Sequence, residues 1–229
     1  VLATSVPTII FGCLNAVAVG FVPLYTRNNK SSKQTGIRFV RNIITWTLIV
    51  SIIFLIIAEL MLPLIIHIFS SGLSEKTLGL SKLFLRITLF VVLVQPVLQI
   101  MSSYLDCNEK FIFTNLSMVC ISLFQILFIF ISSHCGNIWL AIGYIFSEFL
   151  ALCFVLLFSY HIGFRYHFTL VIDKSIRKMA EIILPIFFSN TIIQINQFIE
   201  KIFASRLSAG SISSLNYANT TKNLIYALI

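Results

Sequence analysis

QINQFIEKIFASRLSAGSISSLNYANTTKNLI, residues 194–225, is the stretch on which the fold turns. It places Gln194, Gln197, the adjacent charges Glu200 and Lys201, and then a run of Ser, Ala, Gly and Asn inside a very apolar chain. Of 229 residues, 58% are hydrophobic and only 10% charged, and the mean hydropathy is +0.98. A soluble domain is about 25% charged, so the composition excludes an ordinary soluble enzyme and indicates a membrane chain. The question is why a chain of this kind would concentrate polar groups in one stretch.

Working outward, a bilayer core needs about 20 consecutive apolar residues per helix. Runs of that size occur at 1–25, 42–69, 83–105, 111–131, 138–160, 182–203 and 212–229, which predicts an all-α polytopic bundle. The run at 42–69 is long enough to tilt or to bend at Pro63. Longer connections are expected at 26–41 and 161–181. The chain opens on VLATSVPTII and closes on NLIYALI, inside apolar runs, so a fragment cut at both ends is expected. No secretory signal is recognisable.

The two connections orient the bundle. Arg27, Lys30, Lys33, Arg38 and Arg41 lie in the first, Arg165, Lys174, Arg177 and Lys178 in the second, and Lys110 in the tight turn DCNEK on the same side. Lys76, Lys82, Arg86, Lys201 and Arg206 fall on the other. The excess puts the basic loops in the cytoplasm and explains the net charge of +8 without nucleic acid. The first run then passes from outside to inside, which implies at least one helix upstream.

On a helix over 182–203, at about 100° per residue from Asn190, Gln194 falls at ~40°, Gln197 at ~340° and Lys201 at ~20°. Glu200 stands off at ~280° and Asn196 at ~240°. The next helix repeats the pattern, with Asn216 at 0°, Asn219 at ~300°, Thr220 at ~40° and Asn223 at ~340°. Interhelical hydrogen bonds, contributing about 0.6 kcal/mol each, would account for a pair of amides. Eight amides, hydroxyls and a cation along two neighbouring helices suit a water-filled cavity better. Lys201 must pair, snorkel or face water, and both a cavity role and snorkelling stay open. Glu59 and Glu148 also lie well inside apolar runs, where structural pairing is the simpler account of each. Ala204, Ser205, Ser208, Ala209 and Gly210 favour a tight turn between the two polar helices.

Other chemistries find little footing. Cys13, Cys107, Cys120, Cys135 and Cys153 have neither CxxC nor metal spacing and read as small apolar residues. The 22 Phe, 7 Tyr and 2 Trp read as lipid-facing bulk and interface anchors rather than an aromatic cage. Asp106 and Asp173 are the only aspartates, so no DxD motif for a glycosyltransferase exists, and His67, His134, His161 and His167 form no i, i+4 pair. No catalytic residue, metal or cofactor is expected.

The stretch 194–219 resembles the connection between the seventh and eighth helices of the MviN/MurJ-type lipid II flippase family. The similarity rests on Ala204-Ser205-Arg206-Leu207, Gly210-Ser211-Ile212-Ser213 and Tyr217-Ala218. FVPLY (21–25), LRITLF (85–90), the turn DCNEKF (106–111) and LPIFFSNTIIQIN (184–196) are similar to other parts of the same family. The resemblance implies a two-lobed alternating-access transporter of the multidrug/oligosaccharidyl-lipid/polysaccharide exporter superfamily, in the bacterial cytoplasmic membrane and monomeric. Residues 1–165 would be helices of the first lobe and 166–229 the opening of the second. The implied substrate is undecaprenyl-pyrophosphate-linked peptidoglycan precursor, held in a central cationic cavity. Asn190, Gln194, Gln197, Lys201, Asn216, Asn219, Thr220 and Asn223 would then line that cavity. Family arginines are replaced here by Phe11-Gly12 and by Asn219-Thr220, which leaves Lys201, Arg86 and Lys222 to meet a pyrophosphate. Arg86, Glu200, Lys222, Glu59 and Glu148 are the expected headgroup or coupling charges. A flippase for another polyprenyl-linked polysaccharide unit, or a cation-coupled drug exporter using Glu59 or Glu148, are the alternatives.

Overall fold

The computed structural model describes residue 10 and residues 14–70, 75–205, 207 and 210–228. Phe11, Gly12, Cys13, Arg206, Ser208 and Ala209, and the side chains of His67, Lys76, Ser205, Ile212 and Asn223, lie outside what it describes. Among the described residues the chain forms α1 (Ala16–Ser31), α2 (Lys33–Ser70), α3 (Glu75–Leu89), α4 (Val91–Cys107), α5 (Phe111–Cys135), α6 (Ile138–His161), α7 (Lys174–Ser205) and α8 (Ser211–Leu228). Five spans among them are long and apolar enough to cross a membrane: Lys33–Leu64, Gly79–Cys107, Phe111–Cys135, Ile138–His161 and Lys174–Ala204. Helix α8 has the length, but its Ser, Asn and Thr content keeps it below that hydropathy.

The expected connection at 26–41 is a corner rather than a loop. Only Ser32 leaves helical geometry, at φ −167° and ψ 140°, and it serves both helices it separates. Its N–H donates to the Asn28 carbonyl to close α1, and its hydroxyl accepts from the Gln34 N–H (3.3 Å) to open α2. Pro63 does not interrupt α2, which runs 38 residues through it. The span at 83–105, by contrast, is broken at Phe90. The Phe90 N–H reaches Ile87 and the Leu93 N–H reaches Phe90, a three-residue spacing that tightens the chain ahead of Pro96, which has no N–H to donate.

Two helix ends share one chemistry. At the end of α4 the Lys110 N–H bonds the Leu105 carbonyl and the Glu109 N–H bonds Asp106, with Glu109 at φ 61°. At the end of α6 the Phe164 N–H bonds Ser159 and the Gly163 N–H bonds Tyr160, with Gly163 at φ 99°. Both are Schellman ends, which consume carbonyls that the bilayer could not satisfy.

Helices α1, α2, α4 and α6 converge on one apolar core that includes Phe21, Tyr25, Phe39, Ile100, Tyr104 and Val155. Its aromatic rings interlock: Phe21 stacks on Tyr25 and Phe39, and Tyr25 meets Tyr104 edge-on at 5.5 Å. A second cluster, with Leu14, Ala58, Leu62, Leu85, Leu89 and Val92, joins the residues ahead of α1 to α2, α3 and the start of α4. Lipid is as apolar as these side chains, so close packing rather than transfer from water holds the helices together. Gly143 shows this: a Cβ there would collide with the Phe128 ring, so α5 and α6 approach only because the residue is glycine. Several buried hydroxyls are satisfied within their own helices, as in Ser159 to the Val155 carbonyl (2.8 Å) and Ser147 to Tyr144 (3.0 Å). Thr114 instead donates across to the Ser102 carbonyl of α4, and Ser51 has no partner among the described residues.

Candidate functional site

Helix α7 packs on α1 and α2 along one face, and that face changes character along its length. Its N-terminal half is apolar: Ile176, Met179, Ile183 and Phe187 line a crevice of about 300 Å³ together with Trp46 and Phe54 of α2. From Asn190 these four stand at about 40°, 340°, 20° and 60°, so they share the azimuth of the polar residues above them. Phe187 meets Phe54 ring to ring at 6.4 Å. Above this pair the same face carries Asn190, Gln194, Gln197 and Lys201, while Ile192, Ile193, Ile195 and Ile199 are exposed on other sides. An apolar floor therefore underlies a polar wall.

Asn190, Gln194 and Lys201 are half-buried and Gln197 is exposed. Gln194 Oε1 is fully shielded yet accepts no hydrogen bond among the described residues; the donor Trp46 Nε1 and Ser51 Oγ likewise lack partners. Glu200 is exposed and off this face, where it accepts a hydrogen bond from the Asn196 amide (3.1 Å). On α8, Asn216 and Asn219 are half-buried, whereas Thr220 and Lys222 are exposed. Thr220 donates to the Asn216 carbonyl at 2.9 Å, so its hydroxyl proton is committed to its own helix. Gly210, at φ 97°, makes the turn before α8, where the Ser214 N–H bonds its carbonyl.

The remaining charges separate. Arg86 Nε lies 3.6 Å from Glu59 Oε2, so each neutralises the other across α2 and α3. Glu148 is buried within α6. Neither acid stands beside the α7 stripe in sequence or on its helix, and the structure brings the stripe residues together without them.

Sequence reasoning missed the anchoring of the 162–173 connection. Asn42, inside the second apolar run, bonds both backbone groups of Val171: its amide donates to the carbonyl (2.7 Å) and its oxygen accepts from the N–H (3.1 Å). Arg41 Nε donates to the Arg165 carbonyl at 2.6 Å, and Thr45 Oγ1 lies 3.1 Å from the Tyr166 hydroxyl. The only advance signal was a polar Asn-x-x-Thr pair, Asn42 and Thr45, at helical spacing where lipid-facing residues were expected. Asp173 then caps α7 by accepting from the Ile176 N–H (2.8 Å).

A protein-family profile described as lipid II flippase MurJ matches residues 3–229. The chain belongs to the MurJ lipid II flippase family. Among solved structures it is similar to a lipid II flippase MurJ in an inward closed conformation, at 26% identity and a TM-score of 0.75, over 97% of this chain and 46% of that one. It is also similar to a multidrug resistance MATE family transporter of the MOP superfamily in an inward-facing conformation, at 20% identity and a TM-score of 0.64, over 89% of this chain and 49% of that one. The second likeness is one of fold alone. The chain spans about half the length of each. No curated protein sequence matches it. The all-α polytopic bundle and the MurJ family expected from residues 194–219 both hold, and the chain is a multi-pass protein of the inner membrane.

Proposed function

We propose that the chain is part of a flippase that carries undecaprenyl-pyrophosphate-linked peptidoglycan precursor, lipid II, across the bacterial cytoplasmic membrane by alternating access. Membership in the MurJ family supports the substrate class, and one observation supports the mechanism: a single face of α7 is polar from Asn190 to Lys201 and apolar from Phe187 downward. The polar part supplies amide donors and one ammonium to a sugar-pyrophosphate headgroup. The Phe54–Phe187 seam closes that face from the cytoplasmic side. In this reading residues 1–165 belong to the first lobe and 166–229 begin the second, and the transporter works as a monomer. Asn190, Gln194, Gln197 and Lys201 of α7 face the headgroup with Asn216, Asn219, Thr220 and Asn223 of α8. Lys201 is the principal cation. Arg86 is occupied by Glu59, and Lys222 points off the polar arc.

The test uses the full-length protein in cells depleted of their own lipid II flippase, with a probe that reacts only with lipid II on the outer surface. Exposure of lipid II is expected, and it should fall severalfold with Lys201→Ala in a protein inserted at normal levels. Absence of exposure with a stably inserted protein would reject lipid II as the cargo.

A further inference from the structure

The polar face of α7 is not the only place where charge meets hydrocarbon. Helices α2 and α6 both pack on α4, and between the three a crevice of about 280 Å³ opens, walled by Leu48, Val97, Leu152 and Leu156. Its cytoplasmic end runs into a wider hollow of about 420 Å³, which shares Leu156, Phe164 and Tyr166 with it and is bordered by Tyr160, Arg165 and His167. The two adjoin through these shared residues as one site, with hydrocarbon walls at one end and cationic and hydroxyl groups at the other. We propose that it is a phospholipid site, in which the acyl chain lies between α2, α4 and α6 and an anionic headgroup phosphate meets Arg165.

The cation is held in place before any ligand arrives. The Arg165 guanidinium lies over the Tyr160 ring at 5.4 Å, and no acidic side chain among the described residues forms an ion pair with it. Its backbone is fixed by the hydrogen bond from Arg41 Nε, which brings a second guanidinium to the rim, and the next residue is fixed through Tyr166 and Thr45. A planar guanidinium with free donors matches a phosphate diester, and aromatic rings at the rim suit the level of the headgroups. The positive-inside count puts this rim at the cytoplasmic leaflet, where anionic lipids concentrate and basic pockets between helices hold their headgroups.

The geometry favours a resident phospholipid over the transported cargo. Ile44 and Leu48 line the crevice, whereas Ile43, Thr47 and Val50 face α7. The mean directions of the two sets on α2 are about 110° apart, and the crevice shares no lining residue with the one against α7. The site stands whether or not the chain moves lipid II.

The full-length transporter would be reconstituted in vesicles of equal parts phosphatidylglycerol and phosphatidylethanolamine, and its retained lipids counted by native mass spectrometry. Phosphatidylglycerol is expected in excess of about fivefold, and the Arg41→Gln/Arg165→Gln double variant should bring the ratio near parity. Leu152→Phe, which fills the crevice, should reduce retention of both lipids; Leu48→Phe makes the same test from the opposite wall if the first variant folds poorly. Equal retention by the unaltered protein, or an unchanged ratio in the double variant, would overturn the site. Displacement of phosphatidylglycerol by water-soluble glycerol phosphate would overturn the role of the crevice. Displacement by undecaprenyl pyrophosphate would overturn the assignment to a resident lipid.

Discussion

Helices α4 and α7 both lie in spans apolar enough to cross a bilayer, 79–107 and 174–204, yet they are built in opposite ways. Half of the most apolar window of the span 79–107 is buried among neighbouring helices, and none of the corresponding window of 174–204 is. Helix α4 sits in the centre of the bundle with Ile100, Met101, Tyr104 and Leu105 sealed. Among the described side chains of α7 only Met179 and Ala204 are buried. A helix that gains its place by packing has little freedom to move, because each of its contacts has one arrangement. Within this chain, which spans about half the length of the lipid II flippase it is similar to, α7 makes few sealed contacts and presents a polar wall. The part of the molecule around α4 is sealed by packing, and in the proposed function the part around α7 carries the polar face.

The largest effect should come from the packed side. Gly143→Val forces α6 away from Phe128 of α5, an overpacking cost of about 1–3 kcal/mol for each clash that cannot relax. The thermal midpoint of the full-length protein in detergent, followed by size-exclusion fluorescence, should drop clearly. An unchanged midpoint would mean that close approach of α5 and α6 is not what holds this side.

Asn42→Leu comes next. It leaves the Val171 N–H and carbonyl without their partners, at about 1–3 kcal/mol for groups that water cannot fully reach. The 162–173 connection should then become markedly more susceptible to limited proteolysis while the helices persist. Protection equal to that of the unaltered protein would show that Phe164, buried in the core, holds the connection without Asn42.

A smaller effect, of opposite sign, is expected at the end of α4. Glu109 and Gly163 occupy the same left-handed position in two Schellman ends, but only one is glycine. A side chain in that region costs about 1 kcal/mol, so Glu109→Gly should raise the thermal midpoint by a few degrees or less. A fall would mean that the carboxylate makes a compensating interaction at the membrane surface.

These elements were unequally legible in the sequence. Hydropathy located the middle spans to within a few residues, because the bilayer requires length and apolarity before anything else. The polar azimuth of α7 also followed from spacing alone, since a helix has a fixed angular step. The corner at Ser32 was hidden, because charged residues at a membrane surface can extend helices as readily as form loops. The break at Phe90 was hidden too, because Pro23, Pro63, Pro96 and Pro185 all sit inside helices. Among the described residues the runs holding Pro23 and Pro96 are interrupted ahead of the proline, at Asn15 and Phe90, while those holding Pro63 and Pro185 are not. Anchoring of the connection was least legible, as Asn42 and Val171 are 129 positions apart and pair through backbone groups that carry no residue signature.

The smallest stability change should fall on the polar side, and there it separates two accounts of α7. If Gln194 held α7 to a neighbour, replacing it with leucine would remove a hydrogen bond and cost about 0.6 kcal/mol, the average for such contacts within a membrane. Its Oε1, however, is shielded and accepts nothing, so the amide already bears the cost of that unmet acceptor. Gln194→Leu should therefore leave the thermal midpoint unchanged or slightly raised, while exposure of lipid II to an external probe falls. Gln197→Leu, at an exposed position on the same face, should behave alike. Loss of stability together with transport would make the stripe a packing device like the contacts of α4. Loss of transport alone places it in the path of the headgroup, and the contrast between the two helices is then one of function as well as burial.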